Sequence, residues 1–453
     1  MADTIWFETA LLETGWERKV RLRIDAGRIV GVELGVEPET GERVAGPALP
    51  GLPNLHSHAF QRGMAGLAEV RGPSGDSFWT WREVMYRFLD RLGPEEMHAI
   101  ASLAYVEMLE AGFTRVGEFH YLHHDQDGRA FAQPAEMAMQ ILRAADETGL
   151  GLTLLPVFYA HSGFGGLAPT PAQARFVNDL DAFARLFEAA CAVAEDVPGA
   201  MVGLAPHSLR AVTPQELSIL VSLAGERPVH IHVAEQVREV EDCLAWSGAR
   251  PVEWLLANAP VDARWCLVHA THMTSAETLG LARTGAVAGL CPITEANLGD
   301  GLFPAPEFMA AGGRFGVGSD SNVLIDAAEE LRLLEYGQRL ARRTRNVLAR
   351  EAGNATGADL FKAAGAGGAQ ALRAPPPVLK LGAPADIVSL DPHHPSLVGR
   401  SGDAILDSFV FAGRRDLIDS VWRGGERLVT AGRHRRREEV VARYRDAMRR
   451  VLS

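Results

Sequence analysis

Four short stretches of the chain each place possible metal ligands at the end of an apolar run. In the first of them, His56 and His58 can bind one ion together, because residues i and i+2 of a strand point to the same face. Imidazole and carboxylate ligands around an open coordination position are typical of a catalytic divalent metal, usually zinc. The stretches, which together predict a metal-dependent hydrolytic site, are residues 55–58, 229–235, 267–269 and 317–320.

Taken singly, each of these stretches is a weak signal. A single His-x-His on a strand is more often incidental than a ligand pair, and a lone histidine at a strand end usually has a structural role. The complete order is harder to obtain by accident: His-x-His, then His, then His, then Asp, each closing an apolar strand. We therefore interpret five residues as parts of one site, namely His56, His58, His232, His269 and Asp320.

From residue 47 onward, short apolar runs alternate with longer amphipathic segments. The apolar runs predict strands near 47–56, 114–120, 151–159, 201–206, 228–233, 264–269, 286–291 and 314–318. Helices are predicted between most of them, for example at 95–111, 134–148 and 171–194. Strands alternating with helices in this way are typical of an α/β fold of the (β/α)₈ TIM-barrel type. In that fold the active site lies at the C-terminal ends of the strands, where the five residues fall.

Both ends of the chain depart from the barrel pattern. Residues 1–46 and 379–431 contain short β-strand patterns broken by turns, and we expect them to pair into one small β-sandwich domain. The barrel then spans residues 47–378. The final segment, 432–453, is an arginine-rich helical pattern. We interpret it as a helix that faces solvent or packs in a dimer, rather than as a nucleic-acid-binding element.

Composition restricts the class of protein and its partners. The 453-residue chain is 47% hydrophobic and 23% charged, which is ordinary for a soluble globular protein. Its net charge of −12 argues against a nucleic-acid or anionic-membrane partner. No signal peptide is evident, and four cysteines without a Cys-x-x-Cys pair suggest reduced thiols. We expect a cytoplasmic homodimer that acts on a small molecule.

The chain carries the histidine and aspartate motifs described above, and it resembles the amidohydrolase superfamily over nearly its whole length. The resemblance is carried by residues 49–58, 232–235, 269 and 318–322. It implies that the metal ligands are His56, His58, His232 and Asp320. It also implies that His269 hydrogen-bonds to the attacking water.

Two further features bear on the number of metal ions. The His-x-x-Glu formed by His232 and Glu235 is typical of the mononuclear deaminase branch of that superfamily. No lysine stands near the end of the fourth predicted strand, where binuclear members place a carboxylated one; residues 205–207 are Ala-Pro-His. The resemblance therefore implies one divalent metal per subunit, Zn²⁺ or alternatively Fe²⁺.

Within this branch, three loop segments resemble the formimidoylglutamate deiminases: 58–63, 117–124 and 291–301. Loops carry substrate specificity on a barrel. The resemblance implies hydrolytic deamination of N-formimino-L-glutamate to N-formyl-L-glutamate and ammonia, in histidine degradation. In the implied mechanism, His269 and Asp320 receive the proton of the attacking water, and Glu235 pairs with the cationic formimino group.

A substrate with two carboxylates calls for arginine or other donors, because a guanidinium can bind a carboxylate through two hydrogen bonds. The candidates on the expected C-terminal loops are Gln61, Arg82, Tyr121, His207 and Arg210. Arg210 and Tyr121 are the stronger ones, since each follows a strand end by only a few residues. For either arginine, the alternative role is an ion pair that holds a loop in place.

Four other histidines lie near the expected site. We expect His120, His123 and His124 to have structural roles rather than contacts with a ligand or a second metal. His230 shares a strand face with His232 but lies deeper in the barrel. We interpret it as a core residue or a residue that supports the ligands.

Two other functions remain open from the residues alone. A deaminase of a purine, a pyrimidine or a nucleoside would keep the same metal ligands but would need an aromatic slot for a base rather than arginines. A non-catalytic scaffold would typically have lost metal ligands, whereas every ligand is present here.

Overall fold

The computed structural model describes residues 3–39, 41–72 and 75–453. Residues 1, 2 and 40 of the expected terminal domain therefore lie outside the described residues. Within the described ranges the chain is an α/β protein in which two sheets of mainly parallel strands form a barrel and a third sheet joins the two chain ends.

The strands are β1 (Asp3–Leu12), β2 (Gly15–Asp25), β3 (Arg28–Glu33), β4 (Glu42–Val44), β5 (Ala48–Pro50), β6 (Leu52–Ser57), β7 (Phe113–His120), β8 (Gly151–Phe158), β9 (Met201–Val202), β10 (Ala205–Pro206), β11 (Val229–Val233), β12 (Trp265–His269), β13 (Val287–Leu290), β14 (Arg314–Val317), β15 (Ile387–Leu390), β16 (Ile418–Arg423), β17 (Glu426–Thr430) and β18 (Arg433–His434).

The α-helices are α1 (Phe78–Leu89), α2 (Pro94–Glu110), α3 (Glu136–Thr148), α4 (Leu180–Ala194), α5 (Pro214–Ala224), α6 (Val237–Ser247), α7 (Pro251–Asn258), α8 (Ser275–Thr284), α9 (Pro292–Leu298), α10 (Ala305–Ala310), α11 (Ala327–Arg342), α12 (Thr356–Ala371), α13 (Ala404–Phe411) and α14 (Arg437–Leu452). Among the residues described, no helix combines the length and the apolar character needed to cross a membrane.

The barrel is closed, as the sequence predicted. One parallel sheet contains β6, β7, β8, β9 and β10, and the other contains β11 to β14. Strands such as β8 and β12 are buried along their whole length, which accounts for their uninterrupted apolar sequence. Isolated bridges join the two sheets on both sides, pairing Leu204 with Val229, Ser208 with His232 and Ser57 with Asp320. The last two bridges hold proposed site residues against neighbouring strands.

The first predicted strand, 47–56, is divided in the structure. β5 belongs to the terminal sheet, where it pairs with β1 and β15, and β6 belongs to the barrel. Gly51 lies between them. A Cβ atom at Gly51 would stand 2.1 Å from Cγ2 of Thr114, so only glycine allows this close approach of the chain to β7. The barrel therefore begins within a few residues of the terminal sheet.

Strands from both chain ends join, as predicted, in one β-rich sheet of nine strands. Its strand order is β18-β17-β16-β15-β5-β1-β2-β3, with β4 paired to β1. In β2, Val20, Leu22 and Ile24 are buried at every second position, which places one face of the strand in the core. Phe7 and Trp422, from opposite ends of the chain, meet edge to face at 5.9 Å. Burial of such apolar faces joins the two ends of the chain.

The predicted helix at 171–194 begins later than expected. α4 starts at Leu180 because the carboxylate of Asp179 accepts a hydrogen bond from the backbone N–H of Ala182 at 2.7 Å, which caps the helix. The preceding loop contributes Arg175, whose guanidinium donates to the carbonyl oxygens of Leu92 and His124 at 2.7 and 3.1 Å. That loop thereby holds one side of the barrel mouth.

The C-terminal helix α14 packs on α2. Its arginines form ion pairs with buried or half-buried glutamates, including Arg443 with Glu147 at 2.7 Å and Arg437 with Glu110 at 2.5 Å. Ion pairing with Arg443 and His98 lowers the pKa of Glu147 to about 2, against the effect of burial. One face of the arginine-rich segment thus stabilises the barrel itself.

Candidate active site

Four side chains from three parts of the barrel converge at the C-terminal strand ends. Nε2 of His56 lies 3.2 Å from Nε2 of His58 and 3.1 Å from Nε2 of His232. Oδ1 of Asp320 lies 3.5 Å from Nε2 of His56 and 3.3 Å from Nε2 of His58. All four residues are at least 95% buried. The three histidines form a group that could hold a metal ion.

The protonation of these histidines favours a cation at their centre. Nδ1 of His58 lies 2.9 Å from the carbonyl oxygen of Phe119, and Nδ1 of His232 lies 3.1 Å from that of His207. A carbonyl oxygen only accepts, so each Nδ1 carries the proton and each Nε2 turns a lone pair to the centre. Burial lowers the pKa of His56 to about 3. Neutral imidazoles and a carboxylate with no proton between them fit a divalent metal.

His269 lies beside this group rather than within it. Its Nε2 is 3.8 Å from Oδ2 of Asp320 and 3.9 Å from Oε1 of Glu235, and its Nδ1 is 3.2 Å from Oε1 of Glu295. Burial alone would lower the pKa of His269, but these three carboxylates raise it to about 10. Cys291 is also near, but burial keeps the pKa of its thiol well above the usual value. His269 is therefore oriented to exchange a proton through Nε2.

The backbone is strained at several points of this site. His269, Asp320 and Ala234 have φ angles of 67°, 44° and 52°, in the left-handed region that residues with a Cβ rarely adopt. Such conformations persist only where the surroundings enforce them, and they cluster at functional sites.

A buried amide network holds the strained segment at Asp320. The side-chain amide of Asn322 donates to Oγ of Ser57 and to the carbonyl oxygens of His58 and Asp320, at 3.0 to 3.1 Å. Asn54 donates to Oγ of Ser319 at 2.6 Å and accepts from the backbone N–H of Ser319 at 3.0 Å. The network therefore ties the first barrel strand to the segment after the last one.

Glu235 lies beside His269, with its Oε1 at 3.9 Å from Nε2 of His269. Burial raises the pKa of its carboxyl to about 7, while His269 and Arg210 act in the opposite direction. The loop that carries Glu235 is held by Glu239, a fully buried residue of α6. Its carboxylate accepts from the backbone N–H groups of Ala234 and Glu235 at 3.1 and 3.2 Å.

A cavity with an empty volume of about 570 Å³ opens onto these residues. All five residues expected to bind substrate line it: Gln61, Arg82, Tyr121, His207 and Arg210. His58, His232, Glu235, His269 and Asp320 line the same cavity. The structure thus brings the predicted residues together around one space.

The part of the cavity lined by Gln61, Arg82 and Arg210 combines hydrogen-bonding groups with arginines. The amide of Gln61 donates to Oη of Tyr121 at 3.0 Å, and its Oε1 is buried without a hydrogen-bond partner among the described residues. The guanidinium of Arg82 lies over the ring of Trp79 at 4.6 Å. Arg210 is 8% exposed, and its Nε is likewise buried without a partner in the described part of the chain.

The other predicted histidines have structural surroundings. Nε2 of His123 and His124 lies 2.8 and 2.9 Å from the carbonyl oxygens of Val157 and Val177. His230, as expected for a core residue, lies 2.8 Å from the carbonyl oxygen of Ala371. None of these three histidines, nor His120, is among the residues that line the cavity.

Sequence reasoning missed several residues of the site. Glu295, which contacts His269, lies inside the segment 291–301 that carried the loop resemblance, but nothing local assigned it a contact. Glu239 follows Glu235 by one helical turn, a spacing that also fits an ordinary exposed face. The aromatic residues of the cavity wall were also missed; they are Phe78, Trp81, Tyr86, Tyr159 and Phe176.

Comparison with known proteins identifies matching families along almost the whole chain. Residues 48–428 match the amidohydrolase family, and residues 2–46 match the N-terminal domain of formimidoylglutamate deiminase HutF. The chain is 53% identical over 434 residues to the formimidoylglutamate deiminase of Pseudomonas aeruginosa. That alignment covers 95% of this chain and 96% of the relative.

Comparison with solved structures also matches the chain to an amidohydrolase. The crystal structure of an amidohydrolase from Brucella melitensis matches with a TM-score of 0.96 and 56% identity over 100% of both chains. An adenosine deaminase from Xanthomonas campestris with bound zinc shares the fold, with a TM-score of 0.83 and 22% identity over 99% of this chain and 98% of that one. The chain therefore belongs to the amidohydrolase family and, within it, to the formimidoylglutamate deiminases.

Proposed function

We propose that the protein catalyses the hydrolytic deamination of N-formimino-L-glutamate to N-formyl-L-glutamate and ammonia, a step of histidine degradation. The observation that carries the proposal is the 53% identity over 95% of the chain to a formimidoylglutamate deiminase. A cavity that combines a metal-binding histidine group with two arginines supports it.

The proposed metal ligands are His56, His58, His232 and Asp320, for one divalent ion per subunit. The inward-facing lone pairs and the low pKa of His56 support this set, because a metal ligand must be deprotonated. We propose Zn²⁺ as the metal, with Fe²⁺ as the alternative, since nitrogen and oxygen ligands suit both ions. A bound zinc ion supplies a water whose pKa is lowered toward about 7.

The proton transfers are proposed for three residues. His269 and Asp320 receive the proton that water loses as its oxygen bonds to the formimino carbon, and the 3.8 Å between Nε2 of His269 and Oδ2 of Asp320 supports a shared role. A divalent cation held beside His269 would lower the pKa that its carboxylate neighbours raise, and so would leave Nε2 free to accept a proton. Glu235 pairs with the formimino cation as a carboxylate, takes up one proton released from the attacking water and passes it to the nitrogen. The carbon–nitrogen bond then breaks as the water oxygen forms the formyl C=O bond, and the nitrogen departs as ammonia. Protonated nitrogen is the better leaving group.

Arg82 and Arg210 are proposed to bind the two substrate carboxylates, with Gln61, Tyr121 and His207 as further contacts. The alternative role of either arginine is a loop-fixing ion pair. Arg82 and Arg210 form no salt bridge of 4.0 Å or less within the described ranges, and both line the cavity. These observations favour a role in binding an anionic ligand.

The aromatic wall of the cavity is a reason to test the nucleobase alternative directly. Ammonia release from N-formimino-L-glutamate would be compared with release from guanine, cytosine and adenosine, using zinc-loaded enzyme. We expect turnover of the first substrate alone. Turnover of a nucleobase or a nucleoside in preference to it would overturn the proposed function.

We further propose that the enzyme acts as a cytoplasmic homodimer and that its domains divide at 1–46 with 379–431, 47–378 and 432–453. Free thiols support a reducing compartment: all four cysteines are unpaired. Pairing of β5 and β18 with the terminal sheet extends the first of these domains by a few residues at each boundary. Light scattering on the purified protein would give its subunit number.

A further inference from the structure

Three arginines meet at one tryptophan outside the substrate cavity. The guanidinium carbons of Arg82, Arg238 and Arg210 lie 4.6, 4.8 and 5.7 Å from the centroid of a Trp79 ring. Arg82 and Arg210 line the cavity, whereas Arg238 is not among its lining residues. The side chain of Arg238 is 64% exposed. Trp79 therefore lies between an arginine in solvent and two arginines at the cavity.

The position of Arg238 is not explained by helix stability. It is the second residue of α6, where the positive end of the helix dipole disfavours a cation. The one carboxylate within salt-bridge distance among the described residues is that of Asp242, at 3.7 Å and one turn later. An arginine N-terminal to its acidic partner is the weaker order of such a pair, and exposed pairs contribute little. A residue that violates local preference in this way is a candidate for function.

The net charge of the whole protein indicates a role for an exposed arginine at position 238. With a net charge of −12, the protein repels a carboxylate at long range. A local group of positive charges at the mouth of the cavity reverses the field along the path of approach and raises the rate of encounter. Arg238 is the most exposed member of this group, so an incoming anion meets it first.

We propose that Arg238, which packs against Trp79, is the first residue to attract and contact a substrate carboxylate arriving from solvent. The carboxylate then moves on to bind Arg82 and Arg210. This inference rests on the proposed function, because it requires a substrate with carboxylates. Trp79 supplies a flat ring that holds the three guanidinium groups close together. The carboxylate of Asp242 approaches Nε of Arg238 only to 3.7 Å, which leaves the terminal N–H groups of Arg238 available to an anion.

The test compares Arg238→Gln with Arg227→Gln in the zinc-loaded enzyme. Arg227 is also an exposed arginine over an aromatic ring, at 5.7 Å from Phe187, but it precedes β11 and so lies at the opposite end of the barrel. Both variants remove one positive charge. Steady-state rates with N-formimino-L-glutamate would be measured at about 0.01 M and about 1 M salt, where the screening lengths are about 30 and 3 Å.

We expect Arg238→Gln to lower kcat/KM by about three- to tenfold at low salt, with kcat unchanged, and to match the wild type at high salt. Arg227→Gln should match the wild type at both salt concentrations. Arg238→Lys, which retains the charge, should recover most of the lost kcat/KM. Replacing Trp79 with Leu should reduce the effect of Arg238→Gln, because the arginine loses its support.

Two results would overturn this inference while leaving the proposed function in place. In one, Arg238→Gln and Arg227→Gln behave alike at low salt. In the other, Arg238→Gln lowers kcat/KM equally at both salt concentrations, which would indicate a direct contact rather than long-range collection. Failure of the wild type to release ammonia from N-formimino-L-glutamate would refute the proposed function and this inference together.

Discussion

The two ends of the cavity are built differently. At the proposed metal end, side chains project from barrel strand ends, and hydrogen bonds to protein atoms orient most of them. The carbonyl oxygen of Phe119 orients His58 and Glu295 orients His269, whereas Nδ1 of His56 is buried without a partner among the described residues. At the proposed substrate end, Arg82 and Arg210 project from a helix and a loop and contact aromatic rings. The scaffold therefore orients most of the metal end, whereas the substrate end has donors left for a ligand.

This difference follows from what each end must do. Metal ligands need fixed positions, because coordination tolerates only small errors in distance and direction. A carboxylate clamp instead needs donors that protein acceptors have not already taken. A buried guanidinium without a partner costs free energy, and a bound carboxylate offsets that cost. Under the proposed function, this arrangement separates general hydrolytic chemistry from substrate choice.

The largest effect is expected from breaking the metal end. Replacing His232 with Ala should abolish turnover and metal binding while the barrel remains folded, because the residue lies at a strand end rather than in the barrel core. Metal analysis and circular dichroism would be measured on the same preparation. His394→Ala, a histidine of the terminal domain that pairs with Asp416, is the control. Full metal occupancy with normal activity would remove His232 from the proposed ligands.

The next largest effect separates proton transfer from metal binding. His269→Asn should retain metal but lower kcat by about 10²- to 10⁴-fold, the usual contribution of a general acid–base group. Metal content and single-turnover rates would be compared with the wild type. A near-normal kcat at neutral pH would mean that another residue accepts the proton.

A smaller effect is expected at the substrate end. Arg210→Met should lower kcat/KM by about 10- to 150-fold, since a charge-assisted hydrogen bond contributes about 1.5–3 kcal/mol. Metal content should not change. A substrate analogue that lacks one carboxylate serves as the matched control on the ligand side. Equal turnover of this analogue and N-formimino-L-glutamate by the wild type would contradict the clamp.

The smallest effect tests whether the scaffold holds the metal end. Asn322→Ala removes four hydrogen bonds from a fully buried side chain, and alanine is less favourable than asparagine at a φ of 55°. We expect a loss of about 1–3 kcal/mol in the free energy of unfolding, together with weaker metal binding.

Thermal unfolding and a metal titration would measure both quantities. Asn258→Ala removes a single exposed hydrogen bond to the carbonyl oxygen of Trp254 and should leave both nearly unchanged. If Asn322→Ala behaved like Asn258→Ala, the metal ligands would be held by the strands alone.

The fold was predictable from local patterns because barrel strands are short, buried and apolar. The eight predicted strands match the barrel apart from the division at Gly51, the division of the predicted strand 201–206 into β9 and β10, and small shifts at the ends. That division depends on the distance between Gly51 and Thr114, residues far apart in the chain. The start of α4 was misplaced because residues 171–179 have a helical apolar pattern but serve a tertiary contact through Arg175.

By itself, the sequence determined which residues gather at the proposed metal end. Spacing of two along a strand places His56 and His58 on one face, and the barrel rule brings strand ends to one edge. Only the tertiary structure decided that Glu295 contacts His269, that Glu239 holds the loop of Glu235, and that Trp79 meets three arginines. These contacts join helices and loops whose relative positions depend on long-range packing, and periodicity within a single segment carries no information about them.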